Sequence, residues 1–203
     1  MSEARELVVY GEKPLTAVDI RAQVNLIQEV MAAVMQKGQH YGVIPGAGDK
    51  PTLLKPGAAK IMSTFRLAAD PEVEDMSGNG IIRYRVKCKL LSASGVFVGA
   101  GLGECSSGEE KYAWRAAVSM DEFNAVAEDA KRIKFKRDGQ VKQVRTNAYD
   151  LANTILKMAK KRALVDAVLT VTGASDIFTQ AIEDMPTEVL GQNQRQPVQQ
   201  PQE

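Results

Sequence analysis

IIRYRVKCKLL, residues 81–91, switches the period of the sequence to two. Ile82, Tyr84, Val86, Cys88 and Leu90 fall on one side of an extended chain, and Arg83, Arg85, Lys87 and Lys89 on the other. This is the pattern of a strand with one buried face. The turn Ser92-Ala93-Ser94-Gly95 and the run VFVGAGLGEC, 96–105, predict an antiparallel return strand, and Pro71–Met76 a third strand. Four like charges along one strand face repel one another. That face therefore either awaits an anion or is balanced by carboxylates on its neighbours.

Helical patterns surround these strands. Thr16-x-x-Asp19 is a variant capping box, and apolar residues at roughly helical spacing predict a helix from about 17 to 37, before Gly38. The Gly- and Pro-rich segment after it fits turns or a short hairpin. Pro56 suits the first turn of a second helix, whose Ile61, Met62 and Phe65 share a face that would pack on the sheet. EEKYAWRAAVSMDEFNAVAEDAK, 109–131, is mostly helix-compatible, and KRIKFKRDGQVKQVRTN, 131–147, reads as a basic loop or hairpin around Asp138-Gly139. A strong helix follows, with Ala152, Ile155, Leu156, Ala159 and Ala163 on its core face and Gly173 at its end. Residues 175–185 could add a short helix. The expected class is α+β, a small hairpin-based antiparallel sheet packed against helices. Residues 1–15 form an N-terminal extension, 16–180 the folded domain, and 187–203 a flexible Gln/Pro-rich tail.

A chain of 203 residues, 44% hydrophobic and 25% charged, fits one domain with appendages. Nothing approaches the ~18 consecutive apolar residues of a membrane span, and MSEARELVVY lacks the basic-then-apolar order of a secretion signal. A cytoplasmic protein without membrane partners is expected. Cys88 and Cys105 have no second Cys or His at metal-ligand spacing, His40 being the sole histidine. They read as reduced thiols, and neither metal nor cofactor is expected.

The total charge of +1 conceals a segregation. Lys131–Arg162 holds eleven Lys/Arg against Asp138 and Asp150, a net of +9, which leaves −8 on the remainder. A basic segment on a neutral chain points to a local polyanion site. Lys131, Arg132, Lys134, Lys136 and Arg137 crowd the predicted hairpin, and Lys157, Lys160 and Lys161 follow Asn153 at i+4, i+7 and i+8 on one helix face. Single-stranded nucleic acid is held by such a cationic groove together with aromatic rings on which bases stack, and Phe135 and Tyr149 are the candidate rings. Tyr112 and Trp114 read equally well as core or subunit contacts.

Other motifs carry less. Gly99, Gly101 and Gly103 follow a strand, but their spacing is not G-x-G-x-x-G, and a tight or bulged strand explains them. No phosphate-binding G-x-x-x-x-G-K-[ST] occurs, which disfavours an ATP-driven motor. Glu109-Glu110-Lys111 matches the E-x-K of metal-dependent nucleases, with Asp75 the nearby upstream acid such a site needs. His40 has no evident nucleophilic partner and reads as structural.

GLGECSSGEEKYAWR, 101–115, followed by LKMAKKRALVDAVL, 156–169, and preceded by LLKPGAAKIMSTFRL, 53–67, resembles the single-strand annealing superfamily of phage recombination proteins, the group that includes Erf, Redβ and the eukaryotic Rad-fifty-two protein. The likeness covers roughly 53–178. It implies a β-β-β-α core, Lys161 and Arg162 on the DNA backbone, and the basic hairpin as another wall of the groove. It also implies ATP-independent binding and annealing of single strands, a ring or helical homo-oligomer, and a phage exonuclease or host single-strand-binding protein as partners. The row Arg83, Arg85, Lys87 and Lys89 completes the expected DNA-binding set. A Mg²⁺-dependent nuclease and a plain strand-protecting or adaptor protein are the alternatives.

Overall fold

In the computed structural model, which describes residues 16–43, 50–136 and 139–179, the capping box forms. Thr16 Oγ1 accepts from the Asp19 N–H, and the Asp19 carboxylate accepts from the Thr16 N–H at 2.8 Å. Helix α1, Ala17–Val34, stops short of residue 37 because the Gln36 N–H donates to Nδ1 of the buried His40 at 2.9 Å instead of continuing the ladder. His40 thus has a structural place, and its carbonyl also accepts from the Leu54 N–H. Strands β1 (Tyr41–Gly42) and β2 (Thr52–Leu53) make the short hairpin, and α2 (Lys55–Thr64) starts with Pro56 in its first turn. There follow β3 (Ala68–Asp75), β4 (Arg83–Leu91), β5 (Phe97–Ser106), α3 (Glu110–Ala113), β6 (Trp114–Ala116), α4 (Met120–Ala125), β7 (Lys131–Lys136), β8 (Gly139–Arg145) and α5 (Ala152–Thr172). The class is α+β, with five α-helices and three antiparallel sheets among the described residues. The expected extension at 1–15 and tail at 187–203 lie outside those residues.

The first large sheet has the order β3-β4-β5, and α5 lies along its inner face. Register places Tyr84, Val86, Cys88 and Leu90 of β4 beside Cys105, Gly103, Gly101 and Gly99 of β5. A bulge at Leu90/Leu91 leaves Val98 extra; Cys88 pairs with Gly101 and Cys105 with Tyr84, so the two free, buried cysteines are not opposed. The three glycines face α5. A methyl group on Gly101 would sit 2.1 Å from the Ala167 nitrogen, and one on Gly103 2.2 Å from the Ala163 nitrogen. Ala159, Ala163 and Ala167 are fully buried there, so backbone packs on backbone. The helix ends as expected at Gly173, whose φ of 68° closes a left-handed cap.

Because α5 already fills the sheet's inner face, α2 packs on α5 and not, as predicted, on the sheet; its Ala58 and Ile61 are buried, and Gly57 is buried against His40 and Leu53. After α5, only a 3-10 turn, Ala174–Asp176, forms within the described part of the predicted last helix. Phe178 is buried with its ring 6.2 Å from that of Tyr41, and Thr179 closes onto β2 through the Leu53 N–H.

The second large sheet, β6-β8-β7, corrects the helical reading of 109–131. Helix propensity wins only over the four residues of α3 and the six of α4, the latter capped by Ser119. Between them, Trp114–Ala116 is drawn into a strand by pairing with Arg145, Val144 and Gln143, a tertiary override of local preference.

The glycine contact predicts that Gly101→Ala or Gly103→Ala costs about 3 kcal/mol or more, since backbone cannot yield as a side chain does. Gly108→Ala, whose nearest neighbour would be the Ser106 hydroxyl at 3.4 Å, should stay within about 0.5 kcal/mol. Thermal and urea unfolding of the three variants measure the contrast.

Candidate nucleic-acid interface

The row of cations on β4 is the first place to look for an anion site, and it is already balanced. Across the sheet's outer face Arg85, Lys87 and Lys89 stand opposite Glu74, Glu72 and Asp70 of β3, and Arg85 opposite Glu104 of β5. Arg83 Nε donates to Glu104 at 2.7 Å, Arg85 bridges Glu104 at 3.1 Å and Glu74 at 3.6 Å, and Lys89 pairs with Glu72. The Arg83 and Arg85 guanidinium groups hold the Glu104 carboxyl below the usual carboxylate range. Three of the four cations form ion pairs with Glu72, Glu74 or Glu104, and Lys87 stands opposite Glu72 in register, so the face is a cross-strand charge ladder more than an open anion site. It also looks away from α5, so this row and the α5 lysines cannot be two walls of one groove.

Arg162, which the family likeness assigns to the DNA backbone, is instead turned into the protein. Its side chain is only 13% exposed. Nη1 and Nη2 donate to the two oxygens of Glu109 at 2.8 and 2.9 Å, and Nη1 also donates to the Glu104 carbonyl. Burial opposes ionisation of Glu109, but the Arg162 bonds and the Ser106 N–H outweigh it and hold the carboxyl at about 2. Glu109 is therefore a clamp joining the end of β5 to α5 through a bidentate pair. Lys111 lies 3.6 Å from the same carboxylate. Asp75 accepts from the Ser77 N–H, and among the described residues no three His, Cys, Asp or Glu side chains come together as a metal site would need.

The β6-β8-β7 sheet gathers cations of another kind. Register puts Trp114 of β6, Gln143 and Arg145 of β8, and Arg132, Lys134 and Lys136 of β7 on one face. The guanidinium carbons of Arg132 and Arg145 lie 4.4 and 4.3 Å from the Trp114 ring centroid, within cation–π range. Gln143 Oε1 accepts from Arg132 Nε at 2.8 Å. Glu110 closes one side, its Oε1 accepting from both Arg132 and Lys134, which keep its carboxyl below the usual range. On the opposite face, Lys131 and Lys142 stand 5.5 and 5.4 Å over Phe123. Lys131 is 14% exposed and paired with Glu128.

The remaining predicted residues divide. Lys157 and Lys160 are exposed on α5, Lys161 is half-buried, and Arg137 lies outside the described residues. Phe135 and Tyr149 are 73% and 71% exposed, so both rings are open to a base. Phe135, however, is on the Lys131 face of the hairpin and not beside Trp114. Sequence reasoning missed Arg145 and the ordering role of Trp114. The alternation Val141, Gln143, Arg145 was the available signal, but the partner strand is three residues long and carries no period of its own. Among the described residues no helix is long and apolar enough to cross a membrane.

Compared with protein-family models, with curated proteins and with solved structures, the chain matches none of them.

The Glu109 clamp predicts a pH dependence of stability. A carboxyl whose folded pKa is depressed from 4.5 to about 2 stabilises the fold fully above its unfolded value and loses that contribution as pH falls from 4.5 towards 2. Glu109→Gln should cost about 3 kcal/mol at neutral pH and flatten the decline below pH 4.5, measured by urea unfolding across pH. An unchanged acid profile would remove Glu109 from that role.

Proposed function

We propose that this protein binds single-stranded DNA without ATP and promotes annealing of complementary strands. The observation that carries the reading is the face of β6-β8-β7 where Arg132 and Arg145 are ordered on Trp114 and Lys134 and Lys136 continue the cationic row along β7. Guanidinium groups packed against an indole lose little further freedom when a phosphate arrives, and strand-borne cations at every second residue follow a backbone. Trp114 positions the arginines. The exposed rings Phe135 and Tyr149, with Lys157 and Lys160, are the remaining contacts of the reading. Phosphates are held while base edges stay accessible, so a second strand meets a preordered partner. No covalent chemistry is required.

Self-association belongs to the same reading. Ile20 and Val34, on one side of α1, are 46% and 51% exposed, apolar side chains that a second copy would cover. An exonuclease or a single-strand-binding protein as a further partner rests on the family likeness alone. Glu109, bonded by Arg162, is poorly placed for the nuclease alternative.

The test is the renaturation rate of two complementary oligonucleotides with the full chain, without ATP, with Mg²⁺ varied and product length followed. Acceleration with intact strands is expected. Binding without acceleration would make this a protecting protein, shortened strands a nuclease, and absence of binding would overturn the reading. Arg132→Ala/Arg145→Ala should weaken binding evenly across sequences and reduce the salt slope by about 1.4, two phosphate contacts at ~0.7 each. Phe135→Ala/Tyr149→Ala should weaken binding by roughly 1–3 kcal/mol per lost stack with the slope unchanged.

A further inference from the structure

Arg132 and Lys134 occupy same-face positions of β7, and both donate to a single atom, Glu110 Oε1, at 2.9 Å each. Neighbouring cations on one strand face repel, so an anion between them is what the arrangement calls for. The chain supplies one from outside the β7-β8 hairpin, on the first residue of α3. Arg132 does not depend on that carboxylate for its direction. Its Nε is held by Gln143 at 2.8 Å and its guanidinium lies over Trp114. When Glu110 swings away, Arg132 still aims at the point where the carboxylate oxygen was. Glu110 is 48% exposed, and an ion pair at such exposure is released to water at little cost.

We propose that Glu110 is an internal occupant of a phosphate subsite: a phosphodiester oxygen of the bound strand replaces Glu110 Oε1 between Arg132 and Lys134. The inference rests on the single-strand reading and adds a gate to it. A non-bridging phosphate oxygen brings a negative charge and accepts the same two charge-assisted bonds. A tethered carboxylate has a high effective concentration, so an isolated phosphate competes with it poorly. A strand whose adjacent phosphates are already held by Lys136 and Arg145 competes from an equally tethered position. Glu110 thereby favours polymeric DNA over free nucleotides and small anions. This gives the middle residue of Glu109-Glu110-Lys111 a part different from that of its clamped neighbour.

The experiment compares the full chain with Glu110→Gln, Glu128→Gln and Glu110→Gln/Arg132→Ala, using a labelled oligothymidylate over a salt series after a melting check of each variant. Glu128 pairs with Lys131 and is 90% exposed, so its neutralisation makes the same change in net charge away from the subsite. Glu110→Gln should bind about 3- to 10-fold tighter with a steeper salt slope, because no protein carboxylate has to be displaced. Glu128→Gln should change binding by less than about 2-fold, and adding Arg132→Ala should erase the gain. An equal gain in Glu128→Gln, no gain in Glu110→Gln, or a gain that survives Arg132→Ala would overturn the proposal while leaving strand binding intact. Failure of the unaltered chain to bind would instead sink the single-strand reading, and the subsite with it.

Discussion

The contact on which the architecture depends is made by the absence of side chains. Gly101 and Gly103 let β5 approach α5 until strand and helix backbones touch, with Ala159, Ala163 and Ala167 offering the helix side of the seam. Packing this close leaves no space that a larger residue on either element could enter without moving a backbone. It also sets how α5 crosses the sheet, since only the glycine row admits the helix so near. The remaining placements follow: α2 must find another surface on α5, and Phe178 is returned to the β1-β2 hairpin at the helix's far end.

Polar bonds fasten the same seam from its outer side. Asp166 accepts from the Leu102 N–H at 2.8 Å, Arg162 donates to the Glu104 carbonyl, and Glu109 accepts from the Ser106 N–H at 3.1 Å. Two of these residues belong to α5, and the third is held by α5 through Arg162. A basic residue in a cation-rich helix thus serves the fold, while its neighbours Lys157 and Lys160 remain at the surface. The division between structural and surface cations runs along this one helix, and charge count could not reveal it.

What could be read in advance follows the range of the interactions involved. The alternation of 81–91, its return strand and the glycine-terminated helix are local signals, and all three elements form where they were expected. The hairpin β7-β8 was legible from Asp138-Gly139 between two basic strands. Strand β6 was not, because three residues cannot display a period and their partners lie beyond the intervening α4 and β7. The Arg162–Glu109 pair joins residues 53 apart in sequence, and nothing near Arg162 distinguishes it from Lys161. The balance of the β4 row was within reach: Asp70, Glu72 and Glu74 alternate in the third strand at the spacing needed to meet Lys89, Lys87 and Arg85.

The bonds along β5 bear on how copies of this chain could join. An exposed strand edge invites another strand, but on β5 the Leu102 and Ser106 amides and the Glu104 carbonyl are already occupied. The opposite edge of that sheet, β3, is exposed along its whole length and carries Pro71, which has no N–H to give. Growth in a line requires two unlike ends, each fitting the next copy's other end. This sheet offers one. Copies paired only through their first sheets would meet β3 to β3 and stop at two, so a longer assembly has to be built on other surfaces.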